Sequence, residues 1–331
     1  LIFLILNNLL FAMYDEPAYF PFLSNSKPNY LEKLGTFNFF SKEKFKFSIE
    51  CAGGKFNWVE FGKSHFIPIP SISGYFKLIY KNFGFSISIF DRYQYVRRDK
   101  SWFSDEWGRI YEIIYYELNF IYSTKIGFSY TPVQNFVFNI GGDINYGFKE
   151  DKFKGKIIDT SFTYKNYSLS YSFGILYFEN PKTNFYIQYD SRVKIKYEES
   201  LNLFIPQQIT TCLNFPLSQN LNIGIKNFFK YDKFLDYENK KKLINTFDMA
   251  FDFLVSPFIK NTSFYFSLYT FPLLYYSSSK GFGFMFGPKF HNFFINEIFI
   301  ILEKGSWEVN DEIDDLVFSI TRYGIRANFS F

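Results

Sequence analysis

The chain has 331 residues, of which 24% are aromatic and 21% charged, and its mean hydropathy is only −0.10. The formal net charge of +4 is small and the basic residues are scattered, which argues against a nucleic-acid-binding surface. Beyond the first dozen residues no stretch contains the roughly 18 apolar residues of a membrane helix, so helical spans are excluded.

The amino end predicts export from the cytoplasm. Residues 1–12, LIFLILNNLLFA, form an apolar run of signal-peptide length that ends on the small residue Ala12. The run begins without Met or a basic segment, so we interpret it as the remnant of a signal peptide; the alternative is a buried first strand. This division leaves residues 13–43 as an N-terminal segment and residues 44–331 as the main domain.

Period-two alternation of apolar and polar residues dominates the main domain. Phe136, Phe138, Ile140 and Ile144 alternate with polar residues and glycine, and no helical period fits such windows. Counting the alternating segments gives fourteen strands, among them 45–52, 83–97, 109–131, 134–147, 167–178, 183–197, 205–216 and 315–331.

The connections between these segments alternate in length. Short links such as Lys81–Asn82 and Glu179–Lys182 are followed by long ones, such as Gly53–Pro70, Arg98–Gly108 and Phe148–Asn166. Outer-membrane barrels have short periplasmic turns and longer outer loops. The sequence therefore predicts an all-β, transmembrane, antiparallel up-and-down barrel of about fourteen strands in the outer membrane of a Gram-negative-type bacterium.

The last segment, YGIRANFSF, places Tyr323, Ile325, Ala327, Phe329 and Phe331 on one face. A closing strand must pair with the first strand near residues 45–51, because an open edge in lipid leaves backbone groups unsatisfied. We expect Phe329 and Phe331 to lie at the periplasmic interface and to be read by the barrel-assembly machinery.

Two long stretches, residues 167–197 and 205–234, contain a recurring set of landmarks. These are Gly174, the turn Asn180–Lys182, the segment Tyr189–Val193, Pro206 and the aromatic Phe228–Tyr231. In these landmarks the chain resembles the FadL/TodX family of outer-membrane transporters for fatty acids and hydrocarbons, and residues 65–90 resemble the family's early hairpin. The resemblance implies fourteen strands and a short N-terminal plug, here residues 13–43, folded into the lumen as a hatch. Glu16, Pro17 and Ala18 stand where the family has Asn-Pro-Ala.

The segment 183–197 predicts a wall strand with one charged face. Ile187, Tyr189, Val193 and Ile195 share a parity that we expect to face lipid. The residues of the opposite parity are charged, and we expect them to face the lumen; they are Asp190, Arg192, Lys194 and Lys196.

Other segments are apolar on both faces, which makes them candidates for a ligand pocket in the lumen. The candidate residues are Tyr111, Ile113, Tyr115, Leu316, Phe318 and Ile320. One interpretation is a pocket that binds an acyl chain or hydrocarbon. The other is that these strand ends rise above the bilayer and pack on loops, or that a bulge shifts the parity.

Catalytic and metal-binding patterns find no support in the sequence. The two histidines, His65 and His291, fall in a predicted outer loop and a predicted inner turn, without the Ser or Asp partner that a hydrolase needs. No cluster of His and Cys ligands is apparent either. We therefore predict a non-enzyme without metal or cofactor.

Passive uptake of small hydrophobic molecules through the outer membrane is the function that we predict. Its partners would be outer-membrane lipid, lipopolysaccharide, the hydrophobic ligand and the assembly machinery. The alternatives are a general diffusion porin and a structural or adhesive surface barrel with a plugged pore.

Overall fold

A computed structural model describes residues 45–58, 62–104, 107–133, 135–156, 158–180, 183–197, 202–235, 241–256, 261–271, 280–290, 297–310 and 315–330. These residues are almost entirely β-strand. The strands are β1 (Phe45–Trp58), β2 (Gly62–Tyr80), β3 (Phe83–Ser104), β4 (Ile110–Val133), β5 (Phe136–Gly155), β6 (Asp159–Asn180), β7 (Thr183–Asp190), β8 (Val193–Lys196), β9 (Asn202–Ile205), β10 (Gln208–Ser218), β11 (Leu221–Leu235), β12 (Lys241–Val255), β13 (Thr262–Phe271), β14 (Lys280–Phe290), β15 (Glu297–Asn310) and β16 (Asp315–Ser330).

All strands except β8 and β9 form one antiparallel sheet in the order of a meander. β7 pairs directly with β10, and β1 pairs with β2 on one side and with β16 on the other. In the latter ladder Lys46 is opposite Ser330 and Phe47 is opposite Phe329. The prediction of an all-β antiparallel fold is confirmed. No helix among the described residues is long and apolar enough to cross a membrane.

The strands are longer than the sequence analysis predicts. β3 continues to Ser104, β5 to Gly155 and β6 begins at Asp159, so most of the predicted long loops 98–108 and 148–166 are paired strand. The predicted loop 53–70 is likewise largely strand, and His65 lies within β2 rather than in a loop. The sequence pattern of these segments resembles a loop because both of their faces carry polar residues, which is typical of strands that continue beyond the lipid.

The outward face of the sheet carries an apolar belt. On β5 it runs from Phe136 to Phe148, after which Glu150, Lys152 and Lys154 take the same parity. Twelve residue steps of about 3.4 Å, tilted by about 40°, rise about 30 Å, close to the apolar band of ~25 Å on membrane barrels. The belt residues include Ile126, Phe128, Phe138, Ile140, Ile144, Leu169, Tyr171, Phe173 and Ile175.

Pairs of aromatic rings lie at both margins of this belt. Near the turns of the hairpins the rings of Phe83 and Tyr130 lie 5.0 Å apart, as do those of Phe136 and Tyr177. Toward the other side Phe120 stacks on Phe148 at 4.8 Å. Rings at both margins of an apolar band match the aromatic girdles of membrane barrels.

The inward face is mostly small or polar. Buried inward residues include Ser86, Ser88, Ser123, Asn145, Ser172, Thr210 and Ser267. Tyr269 of β13 covers its register partner Gly283 of β14 so closely that a Cβ on Gly283 would lie 2.5 Å from the tyrosine ring. The glycine therefore makes room for an aromatic ring on the lumen side.

One predicted strand is wrong. The segment 183–197 does not cross as a single wall strand, because β7 ends at Asp190 and residues 193–196 pair only with Asn202–Ile205 in a separate two-stranded sheet. Val193 and Ile195, for which the sequence predicts a lipid-facing position, are fully buried. Lys194 and Lys196 are exposed on the opposite side of β8, and Arg192, which precedes β8, is also exposed; none of the three lies on a wall strand.

Several predictions concern residues outside the described part of the chain. These are the signal remnant 1–12, the segment 13–43 with Glu16, Pro17 and Ala18, and also His291 and Phe331. Leu316, Phe318 and Ile320 lie on β16, but their side chains are not among those described. Phe329 is half-buried opposite Phe47.

The belt predicts a position-dependent cost for charge on the outward face. Ile140→Arg, near the middle of the belt, should reduce the free energy of unfolding by roughly 2–4 kcal/mol, because the guanidinium must enter hydrocarbon. Thr163→Arg on β6, outward and above the belt, is the matched control and should cost about 0–1 kcal/mol. Urea unfolding in lipid vesicles measures both, and equal costs would contradict the assigned belt.

Candidate functional site

An inward-folded hairpin, formed by β8 and β9, distinguishes one side of the barrel. Ile195 is fully buried and lies on Gly147, an inward-facing position of β5. A Cβ on Gly147 would come within 2.8 Å of both Ile195 Cγ2 and Tyr197 Oη. Tyr197 Oη also lies 3.3 Å from Asn119 Oδ1 on β4. The hairpin therefore packs against the lumen side of the wall.

Where the hairpin turns inward, the wall is interrupted. β7 stops at Asp190 and β10 starts at Gln208, whereas β6 begins at Asp159 and β11 continues to Leu235. Among the described residues, no strand pairs with residues 159–170 of β6 on the side away from β5. We call this interruption the wall gap; three strand spacings of about 4.8 Å make its base about 14 Å wide.

The lower part of the wall gap lies within the apolar belt. Tyr167 and Leu169 of β6 border it and face outward, with 65% and 78% of their surface exposed. Their register partners on β5 are Tyr146 and Ile144, both part of the belt or its margin. The lower part of the gap therefore lies at the height of the apolar belt, on the side that is remote from the short turns.

Side chains satisfy backbone groups at the edge of the wall gap. The Tyr167 N–H donates to Asn166 Oδ1 at 2.8 Å, and Asn166 Nδ2 donates to the carbonyl of Lys196 in the hairpin. Lower down, Ser191 N–H donates to the Tyr171 carbonyl and Ser191 Oγ accepts from the Tyr171 N–H, both at 2.8 Å. These bonds replace part of the ladder that ends there and give partners to backbone groups that would otherwise have none.

A cluster of charged and polar side chains, the polar cluster, lies in the lumen beside the base of the gap. It consists of Arg92, Lys125, Asp143, Asn145, Ser170 and Asp190, which come from β3 to β7. β3 has a bulge at Asp91/Tyr93, and the side chain of Arg92, which lies between these two residues, points into the lumen. Its guanidinium donates to Ser170 Oγ at 2.9 Å, to Asn145 Oδ1 at 3.0 Å and to Asp143 Oδ2 at 3.3 Å.

Two carboxylates compensate the two cations of this polar cluster. Lys125 Nζ lies 3.6 Å from Asp143 Oδ1 and 3.7 Å from Asp190 Oδ1, and Arg92 Nη2 lies 3.9 Å from the same Asp190 oxygen. Asp190 is the last residue of β7, so the cluster holds the wall where the chain turns inward. A hydrophobic molecule that passed through the cluster would have to displace buried, paired charges, which is costly.

A second charged group, the rim triad of Glu117, Lys149 and Asp151, lies above the belt. Lys149 Nζ is 3.1 Å from Glu117 Oε1 and 3.4 Å from Asp151 Oδ2, and Tyr115 Oη donates to Asp151 Oδ1 at 2.7 Å. Burial raises the pKa of the Asp151 carboxyl to about 6, although Lys149 opposes the shift. Burial alone would lower the pKa of Lys149, but the two carboxylates raise it above its usual value.

Of the predicted ligand residues, Ile113 and Tyr115 are brought together at the outer rim. With Phe153 they form a small buried cluster against which Ile158 packs, and the Tyr115 and Phe153 rings lie 5.0 Å apart. Tyr111 is half-buried at the end of the same strand face. Sequence reasoning missed Arg92, Lys125 and Asp143, as well as the contact of Ile195 with Gly147, because each depends on the pairing of distant strands.

Comparisons with known proteins support this architecture. No protein-family model matches the chain, and no curated protein matches it. Among solved structures, a Pseudomonas aeruginosa FadL homologue is 9% identical with a TM-score of 0.61, and the match covers 88% of this chain and 91% of that one.

Two solved toluene transporters are also similar in structure. Pseudomonas putida TodX is 10% identical, with a TM-score of 0.61 and coverage of 92% and 93% of the two chains. Ralstonia pickettii TbuX is 9% identical, with a TM-score of 0.57 and coverage of 88% and 90%. The resemblance to the FadL/TodX family is thus confirmed at the level of fold, and these neighbours are transporters rather than enzymes.

The raised pKa of Asp151 predicts a specific pH dependence of stability. Because the folded state favours the protonated carboxyl, the contribution of this residue should decline as the pH rises from about 4 to about 6 and then stay constant. Asp151→Asn cannot titrate, so the free energy of unfolding of the parent minus that of the variant should fall over this interval. Urea unfolding at a series of pH values measures the difference, and a difference that rises with pH would contradict the assignment.

Proposed function

We propose that this chain is a closed, fourteen-stranded barrel of the outer membrane that takes up small hydrophobic molecules passively. In this proposal the molecule enters the lumen from outside and leaves sideways through the wall gap into the membrane. The solved neighbours include toluene transporters and a monoaromatic hydrocarbon channel, which favours apolar cargo for this chain as well.

The wall gap is the observation that carries the proposal. It interrupts the strand pairing beside Tyr167 and Leu169, which belong to the apolar belt. In this proposal an apolar molecule leaves the lumen at that point and reaches lipid without crossing the headgroups. A porin that passes hydrophilic solutes has no need of such an interruption, because its solutes travel along the barrel axis. A lateral exit also spares the cargo transfer through water.

The lumen beneath the gap supports the same direction of movement. In this proposal the paired charges of the polar cluster disfavour passage of an apolar molecule along the wall toward the short turns, because it would have to displace them. The apolar molecule therefore finds its lowest barrier at the wall gap.

We assign residues 13–43 to a luminal hatch within this proposal. Ser267 of β13 and Met285 of β14 are fully buried on strand faces that point into the lumen. A barrel of fourteen strands is wider than its own side chains can fill, which leaves room in the lumen for such a hatch. The N-terminal segment is the part that the family resemblance assigns to this role.

Location and assembly complete the proposal. The outward belt would lie in the outer membrane, in contact with lipid and lipopolysaccharide, and the terminal aromatics Phe329 and Phe331 would be recognised by the barrel-assembly machinery. The antiparallel ladder between β1 and β16 supports this arrangement, since it joins the two ends of the meander.

Uptake of a labelled hydrocarbon by whole cells tests the function. A bacterial host that lacks its own hydrophobic-uptake barrels should accumulate labelled toluene faster when it expresses this chain. Leu169→Asn places an amide at the mouth of the wall gap and should reduce the rate several-fold, because the apolar exit becomes polar.

Ile144→Asn is the matched control for this variant. Ile144 is the register partner of Leu169, faces outward at the same height, and lies one strand further from the gap. It should leave the uptake rate close to that of the parent. Equal loss in both variants would contradict a lateral exit, and a large steady conductance in planar bilayers without toluene uptake would favour the porin.

A further inference from the structure

The inward-folded hairpin continues the pairing register of the wall. Asp190 of β7 is opposite Gln208 of β10, and three residues further along each strand Val193 of β8 is opposite Ile205 of β9. The two ladders are therefore one long hairpin that bends at residues 191–192 and 206–207. Proline at position 206 suits such a bend, because it donates no backbone hydrogen bond.

The sequence of this hairpin also fits the wall. Ile187 and Tyr189 face outward on β7, and Val193 and Ile195 have the same parity. Extending the β6–β7 register, in which Ser172 is opposite Asp190, would place Val193 beside Leu169 and Ile195 beside Tyr167. The edge of β6 to which it would pair has no strand partner on that side among the described residues.

The docked position shown by the structure has its own stabilising contacts. Ile195 packs into the notch that Gly147 leaves because it has no side chain. Tyr197 Oη donates to Asn119 Oδ1, and Asn166 Nδ2 donates to the backbone carbonyl of Lys196. In the wall position the same apolar side chains would instead face lipid. Both positions keep Val193 and Ile195 away from water, so the hairpin has two compatible arrangements of one register.

We propose that the hairpin β8–β9 is a gate that closes the wall gap by swinging from its docked position into the wall beside β6. The hinge consists of residues 191–192 and 206–207, and no register change is needed. Asp190 stays fixed at the base of the hinge through its ion pairs with Arg92 and Lys125. Such a gate regulates the lateral exit, and the inference that it does so rests on the proposed function.

Two pairs of cysteines distinguish the positions in a background in which Cys51 and Cys212 are replaced by Ala. Gly147→Cys with Ile195→Cys reports the docked position, because these residues are in contact. Ser168→Cys with Lys194→Cys reports the wall position, in which the two become opposite each other. In the docked position Lys194 lies on the exposed side of β8, opposite to Ile195.

Mild oxidation of the full chain in outer membranes should cross-link both pairs. Toluene uptake should persist when Gly147→Cys/Ile195→Cys is oxidised, and should fall to the level of cells without the protein when Ser168→Cys/Lys194→Cys is oxidised, with recovery on reduction. Val137→Cys/Leu176→Cys, a register pair of β5 and β6, is the control for a cross-link in the fixed wall and should not change uptake.

A single substitution provides an independent test, should the cysteine at position 147 disturb folding. Gly147→Ala fills the notch under Ile195 and should increase the cross-linking of Ser168→Cys/Lys194→Cys several-fold in properly folded, heat-modifiable protein. Absence of that cross-link, both in the protein that retains Gly147 and in the Gly147→Ala variant, would overturn the gate. Absence of toluene uptake in every variant, with both cross-links formed, would overturn the proposed function and leave the movement of the hairpin established.

Discussion

Hydrogen bonding of the backbone is the constraint on which the rest of this structure depends. A strand in hydrocarbon must donate and accept all of its backbone hydrogen bonds within the protein, since lipid offers none. The pairing of β1 with β16 meets this requirement for the first and the last of the described strands. The same requirement explains why the interruption beside β6 is lined by Asn166 and Ser191, whose side chains bond to backbone groups that a neighbouring strand would otherwise satisfy.

The alternation of side chains follows from the same arrangement. Outward positions along the belt are exposed and are aromatic or aliphatic, whereas inward positions retain charge that is paired. The polar cluster illustrates the second condition, because Asp143 has a fully buried side chain and contacts both Arg92 and Lys125. The polar cluster also includes Asp190, the last residue of β7, so these paired charges lie where the wall is interrupted.

Much of the fold could be predicted from the sequence, since the outward belt repeats every second residue. Phe136, Phe138 and Ile140 predict their strand directly, and Lys81–Asn82 predicts a tight turn, which the structure contains. The length of the strands could not be predicted, because above the belt both faces are in contact with polar surroundings. Residues 148–155 therefore resemble a loop although they continue β5.

The candidate site was harder to predict, for a physical reason. Val193 and Ile195 continue the outward parity of Ile187 and Tyr189 without a break, so alternation alone indicates a single wall strand. Whether those side chains meet lipid or the notch at Gly147 depends on a contact between distant parts of the chain, which no local pattern contains. Arg92 likewise finds its partners on β5, 51 and 53 positions away in the sequence.

The location of a bound hydrophobic molecule tests the central claim most directly. Crystals of the full chain soaked with a brominated aromatic hydrocarbon give anomalous scattering from bromine, which marks each bound molecule without reference to its shape. Lateral uptake predicts bromine in the lumen beside the hairpin β8–β9 and in the gap between β6 and β11, next to Leu169. Bromine found solely on the outward belt, with none in the lumen or the gap, would contradict it.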